Sequence, residues 1–315
     1  MTANLTDFDK ELLNLLQAGL EPIGKPFALI AQQLASNEAT VLGATIRLCE
    51  AGYIKRISAT IDHSRLGKTS ALVTAHVAQE LVEDVGSAVS GLEGVSHNYI
   101  RDHYFNLWFT LQGASLDEMN HTIDPIAKRY GIEFHILPAI TTFKLDVRFD
   151  AKSSGRRLLA SRANPVLTET GEPVKLSPQQ VATIRKLQQP LAIISEPFDD
   201  IWQIAGLITS GVIKRIGAVV DYRKLGFAAN AMFVCEVKES DIHRIGQALA
   251  KLENVSHCYQ RPAFENWPYN LFAMLHGPDM QSLGETVSTF TKEHAIVSFA
   301  LLQTIKELKK TPVRV

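Results

Sequence analysis

Cysteine is scarce in this chain. Its 315 residues hold three, Cys49, Cys235 and Cys258, at irregular spacing. That spacing offers neither a metal motif nor a disulfide framework, and it suits a reducing cytoplasm. No charge of one sign dominates. The formal net charge is −1, so no global positive field draws the chain to nucleic acid. No run is apolar and long enough to span a bilayer, so no membrane partner is expected. The start, Met1-Thr2-Ala3-Asn4-Leu5-Thr6-Asp7, has no basic stretch followed by an apolar one, and no secretory signal is expected. A Gly-rich phosphate loop, paired metal-binding carboxylates and a lysine in a recognisable pyridoxal setting are all missing. Neither an added organic cofactor nor a metal held by the protein is therefore expected.

What is present is a globular composition, 46% hydrophobic, in a length that suits about two domains or more. Internal repetition decides the architecture. Ile54-Lys55-Arg56-Ile57-Ser58-Ala59-Thr60-Ile61-Asp62 returns as Ile213-Lys214-Arg215-Ile216-Gly217-Ala218-Val219-Val220-Asp221. Leu92-Glu93-Gly94-Val95-Ser96-His97 returns as Leu252-Glu253-Asn254-Val255-Ser256-His257. The two carboxyl ends match loosely, Phe143 to Arg148 beside Leu308 to Arg314. The chain is two copies of one unit.

Within each copy the hydrophobic period changes once. Residues 5–52 carry apolar residues at helical spacing, with Thr6 or Asp7 to cap the start and Pro26 to open a second helix. Tyr53–Ile61 alternates as a strand. Three helices and then a strand is a winged helix-turn-helix order. From Thr69 the pattern reads strand, helix, two strands, helix, strand, the βαββαβ order of a ferredoxin-like domain. The fold class is therefore α+β, a tandem repeat of winged helix-turn-helix plus ferredoxin-like units. The expected boundaries are 1–62 and 63–149 for the first copy, 150–176 for a polar linker that would tolerate mobility, and 177–222 and 223–315 for the second copy. Pro26 to Ile54 spans 28 positions, whereas Pro197 to Ile213 spans 16. The second copy is short by about one helix, read as the one that would enter a major groove in a DNA reader.

One motif recurs with chemistry in it. Val95-Ser96-His97-Asn98-Tyr99-Ile100-Arg101 returns as Val255-Ser256-His257-Cys258-Tyr259-Gln260-Arg261. On an extended strand, alternate side chains share a face. His97, Tyr99 and Arg101 then point one way, and so do His257, Tyr259 and Arg261. Such a row suits an anionic ligand with a flat aromatic body better than it suits a core.

The unit order resembles the Lrp/AsnC family of regulators. The strings around His97 (V-S-H-N-Y-x-R-D-H-x-x-N-L-W-F-T) and His257 (S-H-C-Y-x-R-P-x-x-x-x-W-P-Y-N-L) resemble the two subunit types of the siroheme decarboxylases. The resemblance covers nearly the whole chain, one subunit type per half. It implies a fusion whose halves pair with one another. The implied activity removes two acetate carboxyl groups from siroheme, giving 12,18-didecarboxysiroheme on a route to haem d1 or haem. The iron arrives with the substrate.

On that reading the catalytic candidates are His97, His103 and His257 as proton donors, with Tyr99 and Tyr259 beside them. His103 has Ala263 as its counterpart, so the halves are not equivalent. A single histidine is ordinarily a hydrogen-bonded structural one, and His76, His121, His135, His243, His276 and His294 are read as structural or surface residues. Arg101 and Arg261 are candidates to fork substrate carboxylates. Lys55, Arg56, Lys214 and Arg215 could rim the pocket or simply be solvated. Trp108, Trp267 and Tyr269 could stack on the macrocycle, though Trp108 fits a core equally. A DNA-binding regulator that senses a tetrapyrrole is the rival. It would need basic residues on its third helix, where Thr40–Cys49 offers only Arg47. A haem carrier without turnover is a third reading.

Overall fold

The computed structural model describes residues 5–159 and 172–315. The middle of the expected linker and the first four residues lie outside the described residues. The first copy runs α1 (Asp7–Ala18), α2 (Pro26–Gln33), α3 (Glu38–Glu50), β1 (Ile54–Ile61), β2 (Thr69–Ala75), α4 (Val82–Ser90), β3 (Val95–Arg101), β4 (Leu107–Gly113), α5 (Leu116–Tyr130), β5 (Phe134–Pro138) and β6 (Thr141–Leu145). The second runs α6 (Pro178–Leu187), α7 (Ile201–Thr209), β7 (Ile213–Val220), β8 (Ala229–Cys235), α8 (Ile242–Ala250), β9 (Val255–Gln260), β10 (Leu271–Gly277), α9 (Met280–Glu293) and β11 (Phe299–Lys310).

Local chemistry sets the helix starts. Thr6 and Asp9 close a capping box on α1, and Ser177 and Gln180 close another on α6. Asn37, Ser115 and Asp200 each accept a backbone N–H at the start of α3, α5 and α7.

The strands form two sheets. β1 and β7, one from each copy, pair antiparallel as a two-stranded ribbon. The nine others form one sheet in the order β5-β2-β4-β3-β11-β8-β10-β9-β6. β5 and β6, at its two ends, are joined through residues 139–140, so the sheet curls round until its two edges meet at a corner, without a β5–β6 ladder. The two copies exchange strands. β6 leaves the first copy to pair with β9, and the far end of β11 leaves the second to pair with β3. Helices α4 and α5 cover one outer face, with Met119 and Val85 among the core residues there. Helices α8 and α9 cover the other, around Ile245 and Leu283.

The helices of both copies and the ribbon share a single core, from Leu12 and Phe27 to Ile184 and Leu207. The symmetry extends to single bonds. Leu20 N–H donates to Ile216 O at 2.7 Å, and Leu191 N–H donates to Ile57 O at 2.8 Å.

Two expectations change. The helix absent from the second copy is the counterpart of α2. A helix, α7, still precedes β7, as α3 precedes β1, and both end before a glycine with positive φ, Gly211 and Gly52. Residues 188–200 run without a helix instead; Pro190 and Pro197 in that stretch oppose one. The start of the expected linker is also held fast. Asp150 accepts from Asn14 at 2.9 Å and pairs with Arg157 at 2.7 Å, while Phe149 and Gln17 exchange two hydrogen bonds. Gly155, at φ +84°, approaches the Gly226 carbonyl too closely for any Cβ.

Candidate active site

β3 and β9 show how the sequence divides their two faces. Asn98 Nδ2 donates to Gly86 O at 2.8 Å, and Cys258 Sγ lies 3.6 Å from Gly246 O, so these residues face the helices. His97, Tyr99 and Arg101 therefore face the interior of the curled sheet, as do His257, Tyr259 and Arg261. Each strand slips register at the serine before its histidine, Ser96 or Ser256. A bulge there re-aims the neighbouring side chains, and each serine hydroxyl meets its histidine's Nδ1, at 2.9 and 2.7 Å.

The interior has two unlike ends. Near the β3–β4 and β9–β10 turns it is aromatic. Phe105, Trp108, Trp267 and Phe272 join the two halves in one core. Trp108 and Trp267 are each 1% exposed, and Trp108 Nε1–H donates to Phe105 O at 2.6 Å. They are core residues here, and the stacking expectation does not hold for them. Tyr269, half-buried, sets its edge against Trp267. His103 belongs to this end too. Its Nδ1 accepts the Phe105 N–H at 3.1 Å, and its ring meets Trp267 edge-on. The structure thus separates His103 from His97, because the turn carries it to the aromatic end.

The other end is polar. His97 and His257, one from each copy, gather there with His276, which the sequence reading set aside. Ser256 Oγ bridges His257 Nδ1 and His276 Nε2, at 2.7 and 2.8 Å. Lys310 of β11 stands opposite His97 in register. Its ammonium lies 4.4 Å from the centre of the Tyr222 ring and 3.8 Å from the Glu307 carboxylate. Tyr222 stacks on Phe149, which meets His276 edge-on. Asp146 and Arg148, paired at 2.6 Å, lie on the segment that follows β6. Sequence comparison of the two copies could have flagged Lys310 and His276, because Leu145 and Gln112 occupy the matching positions.

The arginines do something more structural than expected. Arg101 donates to Leu302 O at 3.2 Å and to Thr304 Oγ1 at 3.0 Å; Arg261 donates to Leu137 O at 2.5 Å. Arg101 fastens the crossing strand β11 of the other copy, and Arg261 fastens β5 of the other copy, just before the chain crosses over as β6. Arg101 and Arg261 also lie over the rings of Tyr99 and Tyr259. They are 5% and 8% exposed, which leaves a ligand little access. In the ribbon, exposed Lys55 and Lys214 pair with the opposite copy's Asp221 and Asp62, at 3.9 and 3.1 Å. Arg56 and Arg215 are half-buried; Arg56 donates to Ser58 Oγ at 3.2 Å, and Arg215 feels the charges of Asp146 and Arg148.

Burial decides the protonation of the polar end. It pulls His97 down to about 4, helped by the charge of Lys310. It pulls His257 to about 4 and His276 to about 3, with neighbouring cations adding to the effect. Burial also raises Tyr259 to about 12 and Tyr99 further, so both phenols stay protonated donors.

The sign of the resulting pH dependence follows. Below about 6.5 the unfolded chain takes up protons on these imidazoles that the folded chain refuses. Stability should therefore fall as pH drops from about 6.5 towards 4. Nearer pH 4 and below, the depressed Asp9, Asp62 and Asp150 add their own loss. Thermal melts across this range should show a falling Tm, with a shallower slope in His276→Gln, which installs the first copy's residue. A Tm that stays level between pH 7 and 5 would contradict the neutral cluster. Among the described residues, no group of three or more His, Cys, Asp or Glu is placed to hold a metal ion.

Comparison with known proteins agrees with the repeat. The AsnC-like ligand binding domain family matches residues 65–144 and again 224–309. The siroheme decarboxylase of Hydrogenobacter thermophilus is 32% identical over 98% of this chain and 94% of its own length. The crystal structure of the siroheme decarboxylase NirDL superposes with a TM-score of 0.73 at 28% identity, covering 98% of this chain and 94% of that one. The siroheme decarboxylase alpha subunit of Oleidesulfovibrio alaskensis is 34% identical, covering 46% of this chain and 88% of its own length. A paired-subunit enzyme written as one polypeptide accounts for both kinds of match. This chain, two AsnC-like ligand-binding domains with their histidines turned to a shared interior, belongs to the siroheme decarboxylase family.

Proposed function

We propose that the chain is a carboxy-lyase that removes two acetate carboxyl groups from siroheme to give 12,18-didecarboxysiroheme. The observation that carries this reading is the polar interior end, where His97 and His257 meet between two AsnC-like domains. NirDL has been crystallised in co-complex with an iron-uroporphyrin III analogue, and a ligand of that chemistry suits this end. The domains are read as winged helix-turn-helix and ferredoxin-like units, with DNA recognition given up.

Each decarboxylation breaks one C–C bond, releases carbon dioxide and consumes one proton. The electron pair left behind is taken up by the pyrrole system once a ring carbon is protonated; a proton then reaches the exocyclic methylene to make the new methyl group, and the ring carbon gives its proton back, so one proton is consumed in all. His97 and His257 are the proton donors on this reading. They are neutral in the free chain, so an incoming polycarboxylate must raise their proton affinity. Tyr99 and Tyr259 hold the imidazoles or donate to a carboxylate. Half-buried Arg56 and Arg215 are better placed than Arg101 and Arg261 to meet substrate carboxylates. The substrate supplies its own iron, no organic cofactor is added, and the compartment is the cytoplasm.

Anaerobic incubation of the purified chain with siroheme alone, followed by mass spectrometry, tests this. Loss of two carbon dioxide units is expected. Siroheme that binds tightly but stays intact would sink it in favour of a sensor or carrier. The regulator reading has little support. Arg47, the one basic residue of α3, is engaged by Asp9 at 2.5 Å, and α7 carries no charge at all. Tight, steeply salt-dependent binding to duplex DNA would revive it.

A further inference from the structure

The two copies match so closely that the exceptions stand out. Phe143 and Leu308 each press on a helix glycine, Gly246 and Gly86. Lys144 donates to Leu252 O at 3.2 Å, and Lys309 donates to Leu92 O at 3.1 Å. One residue further along, the match fails. Leu145 stands opposite His257, whereas Lys310 stands opposite His97. Thr142 faces Tyr259 where Glu307 faces Tyr99. Of the two motif histidines, only His97 therefore has a cation directly opposite it on the crossing strand.

That cation is available. The Lys310 side chain is 37% exposed, and its ion pair with Glu307 is long, at 3.8 Å. An exposed pair of this length contributes little and is readily exchanged for a better carboxylate. The other groups around Lys310 are Asp221, Tyr222 and Arg223 from the turn after β7, His97 from β3, His257 from β9 and His276 from β10. Three imidazoles feel its charge, which adds to the burial that holds all three neutral.

We propose that Lys310 binds a substrate carboxylate that is retained, next to the acetate that is lost on the same pyrrole ring, and so sets that acetate beside His97. This rests on the decarboxylase reading. The scissile carboxylate itself is the wrong partner. Its negative charge must leave with the breaking bond, and a cation fixed on it would oppose that loss. A retained carboxylate on Lys310 does two useful things. It fixes the ring, and it offsets the charge that adds to burial in holding His97 neutral, so His97 gains its proton more readily when substrate arrives. The His257 side has Leu145 in this place and no such anchor. The two halves thus hold their share of the macrocycle unlike one another.

The test compares Lys310→Leu, which copies Leu145, with Lys310→Arg, following both turnover and binding. Binding is read by absorbance titration with the iron-uroporphyrin III analogue, which needs no turnover. Loss of one charge-assisted contact should weaken binding and raise KM about tenfold to a hundredfold. The arginine variant should restore most of it. The limb of kcat/KM that falls with rising pH, which reports the proton donor of the free enzyme, should move to higher pH in Lys310→Leu, because His97 no longer faces that cation. A lysine with no part in binding would move this limb and leave the Kd for the analogue unchanged. An unchanged Kd in Lys310→Leu would overturn the proposal, as would Lys310→Arg binding as weakly as Lys310→Leu at full thermal stability. Wild-type chain that binds the analogue but leaves siroheme intact would instead sink the decarboxylase reading, and the titration would still judge Lys310.

Discussion

His97→Ala should lower siroheme turnover by roughly 10²–10⁴-fold, the usual contribution of a positioned general acid. Tetrapyrrole binding should survive, since the carboxylate contacts lie elsewhere. The same change at His257 should show whether both copies deliver protons. Mass spectrometry separates the outcomes. A species that has lost one carbon dioxide should accumulate if each histidine serves one acetate, and neither loss should proceed if the two act together. His103→Ala should leave turnover near wild type, because His103 packs on Trp267 at the aromatic end. If His97→Ala and His257→Ala both kept full rate, the acid assignment would be wrong.

Arg261→Ala should first be a stability variant. Arg261 is buried and donates to the carbonyl of Leu137 on β5 of the first copy. Removing it strands a buried acceptor, worth about 1–3 kcal/mol, and loosens the contact between the halves. A Tm lower by several degrees is expected, with Arg101→Ala behaving alike through Leu302 and Thr304. Differential scanning calorimetry read beside KM decides the role. A rise in KM at unchanged Tm would restore the carboxylate fork expected from the motif. A fall in Tm with KM intact would confirm the strand fastener.

How legible the site was depends on the kind of signal. The row of His97, Tyr99 and Arg101 follows from strand alternation alone, and the structure places all three on one interior face. The depth of each residue along that face was not legible. Arg101 sits beside the turn, where the other copy's strand covers it, so a residue type suited to carboxylates is spent on backbone carbonyls. Trp108 and Trp267 are similar. An aromatic on a strand face serves a core or a ligand equally, and only the opposing half settles which. His276 lay outside the recurring motif and so looked incidental. It became part of the site through a hydroxyl, Ser256 Oγ, that reaches two imidazoles.

The sequence by itself determined the local and the repetitive. It set the two copies, the order of helices and strands in the first copy as far as β5, a capped start to α1 at Thr6 or Asp7, and the shortened second helical region. These rest on hydrophobic period and on contacts a few residues long, which a linear reading can see. The tertiary structure decided what depends on the far copy. Strand exchange by β6 and β11, the ribbon of β1 with β7, and the meeting of His97, His257, His276 and Lys310 all bring together residues from opposite halves. Which helix the second copy had lost also waited on the structure. A gap has a length in sequence, but only the helix that still packs before β7 tells which one remains.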